Sequence, residues 1–181
     1  MPIYIAMLRG INVAAHKRMK MERLRASCES LGFEAVKTYI QSGNVVFQGG
    51  KLKPDAASKK LEEQIVRDFG FSAHVMLRTK EELGQVLKGN PLLKERGIES
   101  KLHVVFLSEV PAPAAVKKLE SLVLPPDKVR NSGKEIYFYF PNGVSGSSIW
   151  KHPLDRELSI SGTMRNWRTV NTLYEMALAC G

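Results

Sequence analysis

The chain has 181 residues, 44% of them hydrophobic, and a net charge of +9. That length allows one domain or two small ones, and no apolar run approaches the roughly 20 residues that cross a bilayer. Cys28 and Cys180 lie too far apart in sequence to make a metal-ligand pattern, and they predict reduced thiols in a cytoplasmic protein.

The opening Met1-Pro2-Ile3-Tyr4-Ile5-Ala6-Met7-Leu8 carries no basic leader and predicts a first strand over 3–8 rather than a signal peptide. A basic loop follows over 9–19. Met21, Leu24, Cys28 and Leu31 then recur at helical spacing, which predicts a helix over 20–31 stopped by Gly32. Strands are expected over 35–40 and 44–48, joined by a turn at 41–43 in which Ser42-Gly43 supplies the positive φ of a tight hairpin. Pro54 opens a second helix, 54–69, whose apolar stripe is Leu61, Ile65 and Phe69 and whose end is Gly70. Ala73, Val75 and Leu77 alternate with polar neighbours and predict a strand over 72–78.

This βαββαβ order is the ferredoxin-like, or α-β plait, unit. Residues 80–89 read as a linking helix. The pattern then partly repeats over 90–181, with strands at 102–107, 128–131, 135–140 and 161–164 and helices at 111–123 and 146–159. A C-terminal helix is expected over 167–179. The expected fold is therefore α+β, with two ferredoxin-like units and mainly antiparallel sheets. The units are 1–79 and 90–181.

Charge is uneven along this order. Residues 9–25 hold six basic side chains (Arg9, Lys17, Arg18, Lys20, Arg23 and Arg25) against Glu22 alone. Such a cluster attracts phosphate, nucleic acid or an acidic partner, although a solvated helix face has the same composition. A helix joins the first two strands, so they run parallel and end at one edge of their sheet. The loop Arg9-Gly10-Ile11-Asn12 and the turn Gln41-Ser42-Gly43-Asn44 are thereby predicted to be neighbours. The basic loop also leads into a helix N-terminus, which suits an anion. Arg9, Asn12, Lys17, Gln41, Ser42 and Asn44 form the expected rim. Turn chemistry alone also explains the hairpin residues.

A third polar segment, Met164-Arg165-Asn166-Trp167-Arg168-Thr169, begins the last helix. Asn166 fits an N-cap and Trp167 its apolar face. Arg165 and Arg168 oppose the helix dipole, so an anionic partner would help them, and they join the candidate ligand-binding set.

Catalytic signatures are scarce. His16, His74, His103 and His152 are scattered, and neither a phosphate-binding G-x-G-x-x-G nor a P-loop pattern occurs. No metal or cofactor is expected. Cys28 falls on an apolar helix face and reads as an inert buried thiol. An RNA-recognition sheet needs stacking aromatics on its third strand, where this chain offers only Phe47.

The segments Leu8-Arg9-Gly10-Ile11-Asn12-Val13, Thr38-Tyr39-Ile40-Gln41-Ser42-Gly43-Asn44-Val45-Val46-Phe47 and Arg165-Asn166-Trp167-Arg168-Thr169-Val170 together resemble the bacterial domain-of-unknown-function 1697 family in order and spacing. Ala14-Ala15 and Met164 depart from the residues usual there. The resemblance implies two ferredoxin-like halves and no particular activity. The leading expectation is a non-enzymatic binding or regulatory protein for a phosphate-containing ligand or nucleic acid. The alternatives are a small-molecule enzyme with the hairpin in its pocket, or a protein-interaction module.

Overall fold

The structure, a computed structural model, describes residues 1–94 and 99–181; residues 95–98 of the expected second unit lie outside the described residues. The chain divides into two compact units, Met1–Gln85 with Thr172–Gly181, and Val86–Asn171.

The first unit runs β1 (Ile3–Leu8), α1 (Met21–Ser30), β2 (Glu34–Tyr39), β3 (Asn44–Gln48), α2 (Pro54–Phe69) and β4 (Val75–Thr79). The four strands form one sheet in the order β2-β3-β1-β4, and every neighbouring pair is antiparallel. β1 and β2 both run opposite to β3, so both end at the same sheet edge. β1 is buried from end to end, as its unbroken Ile-Tyr-Ile-Ala-Met-Leu run requires of a central strand.

Tyr4, Ala6, Leu8, Val45 and Phe47 of the sheet pack with Leu24 and Cys28 of α1 and with Leu61 and Ile65 of α2. Phe47 is fully buried, stacked on Phe33 with ring centroids 4.3 Å apart and meeting Tyr4 edge-on at 5.9 Å. It is a core residue, which removes the one aromatic an RNA-reading sheet would have used. Cys28 is buried on the same side, and burial pushes its thiol up to about 12.

Helix limits follow local chemistry. Pro54 occupies the first turn of α2, and Gly70 ends the helix in the left-handed region at φ 75, its amide donating to the Val66 carbonyl at 3.0 Å. β4 starts at Val75 rather than at the expected residue 72, because its partner β1 ends at Leu8, directly opposite Val75. α3 (Lys80–Lys88) begins on a reciprocal pair. The Thr79 hydroxyl accepts from the Glu82 amide at 3.1 Å, and the Glu82 carboxylate accepts from the Thr79 amide at 2.8 Å.

The second unit contains β5 (Leu102–Leu107), α4 (Pro113–Leu122), β6 (Lys128–Ser132), β7 (Glu135–Tyr139), α5 (Leu154–Leu158) and β8 (Gly162–Asn166). Its sheet order is β6-β7-β5-β8, again with antiparallel neighbours. Val105, Leu107, Leu119, Phe138, Phe140 and Ile149 form its core. The single helix expected over 146–159 is instead two 3-10 turns, Val144–Gly146 and Ser148–Lys151, followed by the short α5. Pro153 has no amide to continue a helix across that point, and the Ser147 hydroxyl caps the middle turn by accepting from the Ile149 amide. α6 (Trp167–Leu178) begins in this unit, and its residues from Thr172 belong to the first.

The described residues thus form an α+β fold with two four-stranded antiparallel sheets and six α-helices. Among them no helix is long and apolar enough to cross a membrane.

Truncating Phe47 to Ala removes a fully buried ring with two aromatic neighbours. The expected loss is about 4 kcal/mol of unfolding free energy, read from urea denaturation.

Candidate functional site

The shared edge at which β1 and β2 end carries the densest polar structure of the first unit. Asn12 is its organising side chain. Its Nδ2 donates to the Gln41 carbonyl at 2.8 Å and to the Met19 carbonyl at 2.9 Å, and its Oδ1 accepts from the Met19 amide at 2.8 Å. One amide group therefore joins the β1 loop, the hairpin tip and the residue two positions ahead of α1. The neighbourhood predicted for the 9–12 loop and the 41–44 turn is thereby met.

The backbone here is held in costly conformations. Asn12, Ala14, Lys17 and Ile40 have φ of 54, 51, 47 and 49 degrees. Asn tolerates the left-handed region, whereas a β-branched Ile does so at a cost on the order of 1–3 kcal/mol. Closure of the loop keeps these angles in place: the Asn12 amide donates to the Lys17 carbonyl at 3.0 Å and the His16 amide to the Val13 carbonyl at 3.1 Å. Gly43, at φ 83, is strained by any side chain, and a Cβ there would lie 2.5 Å from Ile11 Cδ1 and 3.0 Å from Leu8 Cβ, so Ile11 would have to shift.

Behind this brace lies a groove of about 680 Å³, lined by Asn12, Arg18, Met19, Lys20, Met21, Glu22, Arg23, Gln41 and Phe69. That volume falls within the range of small-molecule sites. Its floor is the start of α1, where Lys20 occupies the N-cap position and supplies no side-chain cap. The first-turn amides have no intrahelical acceptor, and they carry the positive end of the helix dipole. The side chains of Arg18, Lys20 and Gln41 are exposed, and among the described residues they make no hydrogen bond or ion pair.

Arg23 is fixed by its neighbours. Its Nη2 donates to the Asp68 carbonyl at 2.7 Å, and its guanidinium carbon sits 4.7 Å over the centroid of the Phe69 ring. The Asp68 carboxylate is fixed in turn, with Ser27 Oγ donating to Oδ2 at 2.5 Å and Gln64 Nε2 donating to Oδ1 at 2.9 Å. The Ser27 bond first, then that from Gln64, hold its carboxyl below the ordinary value of 3.8.

The expected site residues fall into four groups. Asn12 and Gln41 line the groove. Ser42 and the fully buried Asn44 close the hairpin internally, with Asn44 Nδ2 donating to the Tyr39 carbonyl and to Ser42 Oγ, each at 3.0 Å. Arg9 and Lys17 belong to the same loop but not to the groove wall. The Arg9 amide donates to the His74 carbonyl at 2.9 Å, and Lys17 Nζ donates to the Ser72 carbonyl at 2.7 Å.

Arg165 and Arg168 belong to the second unit. Arg165 is 7% exposed, its Nη1 donates to Thr163 Oγ1 at 2.7 Å and to the Met164 carbonyl at 2.9 Å, and burial brings it down to about 10. Arg168 is exposed in the first turn of α6, while Asn166 Oδ1 accepts from the Thr169 amide at 2.8 Å as an N-cap.

Arg18, Lys20, Arg23 and Phe69 are groove residues that the rim expectation omits. The local charge excess contained the three cations, but spacing alone could not rank them against Arg9 and Lys17. Phe69 read as core because it lies on the apolar stripe of α2. No group of three or more His, Cys, Asp or Glu that could hold a metal occurs among the described residues.

A braced sheet edge with a basic groove, on an α+β chain of two antiparallel sheets, defines the class of this protein. The chain belongs to the family described as protein of unknown function (DUF1697), whose sequence profile matches residues 1–137. The motif beginning at Arg165 lies beyond the matched residues. The solved structure of the conserved bacterial protein SP0830 from Streptococcus pneumoniae is similar at 25% identity with a TM-score of 0.79, over 97% of this chain and 98% of that one. No curated protein matches the sequence.

Asn12→Ala leaves the Met19 amide and two carbonyls without their partner and puts a Cβ residue at positive φ. Asn12→Gly loses the same bonds without the backbone strain. Alanine is expected to cost about 3 kcal/mol, and glycine about 1 kcal/mol less than alanine, in parallel urea titrations.

Asp68 has a lowered folded-state value, so its contribution to stability is complete above 3.8 and fades as pH falls through that lower value. Asp68→Asn is expected to flatten the acid limb of the stability curve between about pH 4 and pH 2, with little change in its slope near neutrality, measured by urea midpoints across that range.

Proposed function

We propose that this protein is a duplicated ferredoxin-like (βαββαβ) chain whose first unit binds a phosphate-containing ligand in the groove at the start of α1. Matching strand orders, β2-β3-β1-β4 and β6-β7-β5-β8, support the duplication. The repeating units are 1–79 and 90–181, with 80–89 linking them. Cytoplasmic residence suits two buried, unbridged cysteines.

The observation that carries the binding reading is the composition of the groove around an uncapped helix N-terminus. Arg18, Lys20 and Arg23 face one carboxylate, Glu22, so the wall has an excess of positive charge where α1 presents amide donors. Gln41 adds a neutral side-chain amide to the lining, and the Asn12 bond to its backbone carbonyl ties its main chain to the loop. The arrangement contains no paired acid and base and no activated nucleophile, which favours binding over catalysis. Arg9 and Lys17 lie outside the groove lining, so this reading does not use them.

Inorganic phosphate should raise the melting temperature at low ionic strength, because a ligand of the native state stabilises it. In Arg18→Ala/Lys20→Ala the phosphate affinity from calorimetric titration should fall at least about tenfold, the loss expected for charge-assisted contacts. Equal affinity in the double variant, or no phosphate binding to the parent, contradicts the reading. An oligonucleotide that binds with a steep salt dependence and is weakened as much by Lys17→Ala as by the double variant would move the site to the nucleic-acid backbone.

A further inference from the structure

Half of the groove wall is unnecessary for a simple anion. Its lining includes the apolar Met19, Met21 and Phe69 as well as the polar Arg18, Lys20 and Gln41. An inorganic phosphate gains nothing from the first group. A ligand that uses both groups has an anionic end and a flat, weakly polar end.

Arg23 supplies the surface for that flat end. Most exposed arginines lose rotamer freedom when they stack on a ligand, which opposes binding. This one is already restrained, by the Asp68 carbonyl at 2.7 Å and by the Phe69 ring 4.7 Å from its guanidinium carbon. Phe69 covers one side of the guanidinium, and the group lines the groove. Guanidinium planes and aromatic rings are the surfaces on which nucleobases stack. Glu22, the lone acid of the wall, repels phosphate but accepts hydrogen bonds from sugar hydroxyls or exocyclic amines, and the Gln41 amide both donates and accepts.

We infer that the groove takes a nucleoside monophosphate, with its base on the platform formed by Arg23 and Phe69 and its phosphate at Arg18, Lys20 and the first turn of α1. This inference rests on the anion reading of the same groove and adds the identity of the uncharged part. Charge sets the phosphate count. Three cations against one carboxylate leave a local excess of two, which matches one phosphate dianion better than a triphosphate.

Calorimetric titration of the full chain with inorganic phosphate, ribose 5-phosphate, AMP and ATP tests it, alongside Arg23→Lys, which keeps the charge and loses the plane. AMP is expected to bind about tenfold tighter than ribose 5-phosphate, the gain of one stacked base, and no weaker than ATP. Arg23→Lys should reduce that ratio to near one, and an unchanged far-ultraviolet circular dichroism spectrum shows that the variant is folded. Equal affinities for phosphate, ribose 5-phosphate and AMP overturn the nucleotide assignment and leave the anion site standing. An AMP advantage that survives Arg23→Lys overturns the platform, and tighter binding of ATP overturns the monophosphate. Absence of binding by all four, inorganic phosphate included, defeats the anion reading itself.

Discussion

The Asn12 side chain is the constraint on which the candidate site depends. Three short hydrogen bonds, two to Met19 and one to the Gln41 carbonyl, make a single residue the joint between loop, helix entry and hairpin. If that joint opens, α1 has no fixed starting point relative to Gln41, and the groove has no fixed width. The left-handed backbone at Asn12, Ala14, Lys17 and Ile40 is tolerable only because the loop closes on itself and on the hairpin. Gly43 completes the joint from the hairpin side, at positive φ and close against the Ile11 side chain.

Electrostatics support the proposed anion site at this edge. An uncapped helix start surrounded by Arg18, Lys20 and Arg23 is unfavourable without a counter-charge, and like charges at this spacing repel. A protein that needed only a stable helix would place Ser, Thr or Asp at the N-cap. Here Lys20 stands there, and the sequence instead places its cap-forming residues at α3, where Thr79 and Glu82 bond reciprocally, and at α6, where Asn166 caps. Side chains thus cap α3 and α6, whereas α1, α2, α4 and α5 start without one, and of these α1 lies beside the basic loop.

Much of the architecture was legible in the sequence. Pro54 and Gly70 bound α2 as expected, Ser42-Gly43 turns the first hairpin, and the parallel direction of β1 and β2 brings the 9–12 loop to the 41–44 turn. Failures have identifiable causes. The helix expected over 146–159 is broken because Pro153 has no amide to donate across that point. For Asn44 the sequence left ligand binding and turn chemistry both open, and its side-chain amide bonds Tyr39 and Ser42 in the interior. Arg9 and Lys17 could not be separated from Arg18, Lys20 and Arg23 by charge, since only the closure of the loop decides which cations turn toward Ser72 and which line the groove. Phe69 shows the same limit: periodicity places it on a stripe but does not say that the stripe ends under an arginine.

The central claim is that the start of α1 and the hairpin tip together hold a phosphate group. Amide chemical shifts followed by NMR during titration with inorganic phosphate test it most directly, since they report position as well as affinity. The account predicts saturable shifts concentrated at Lys20, Met21, Glu22, Arg23 and Gln41, and small ones elsewhere. Shifts spread evenly over lysines and arginines throughout the chain, or none at those five amides, would contradict it.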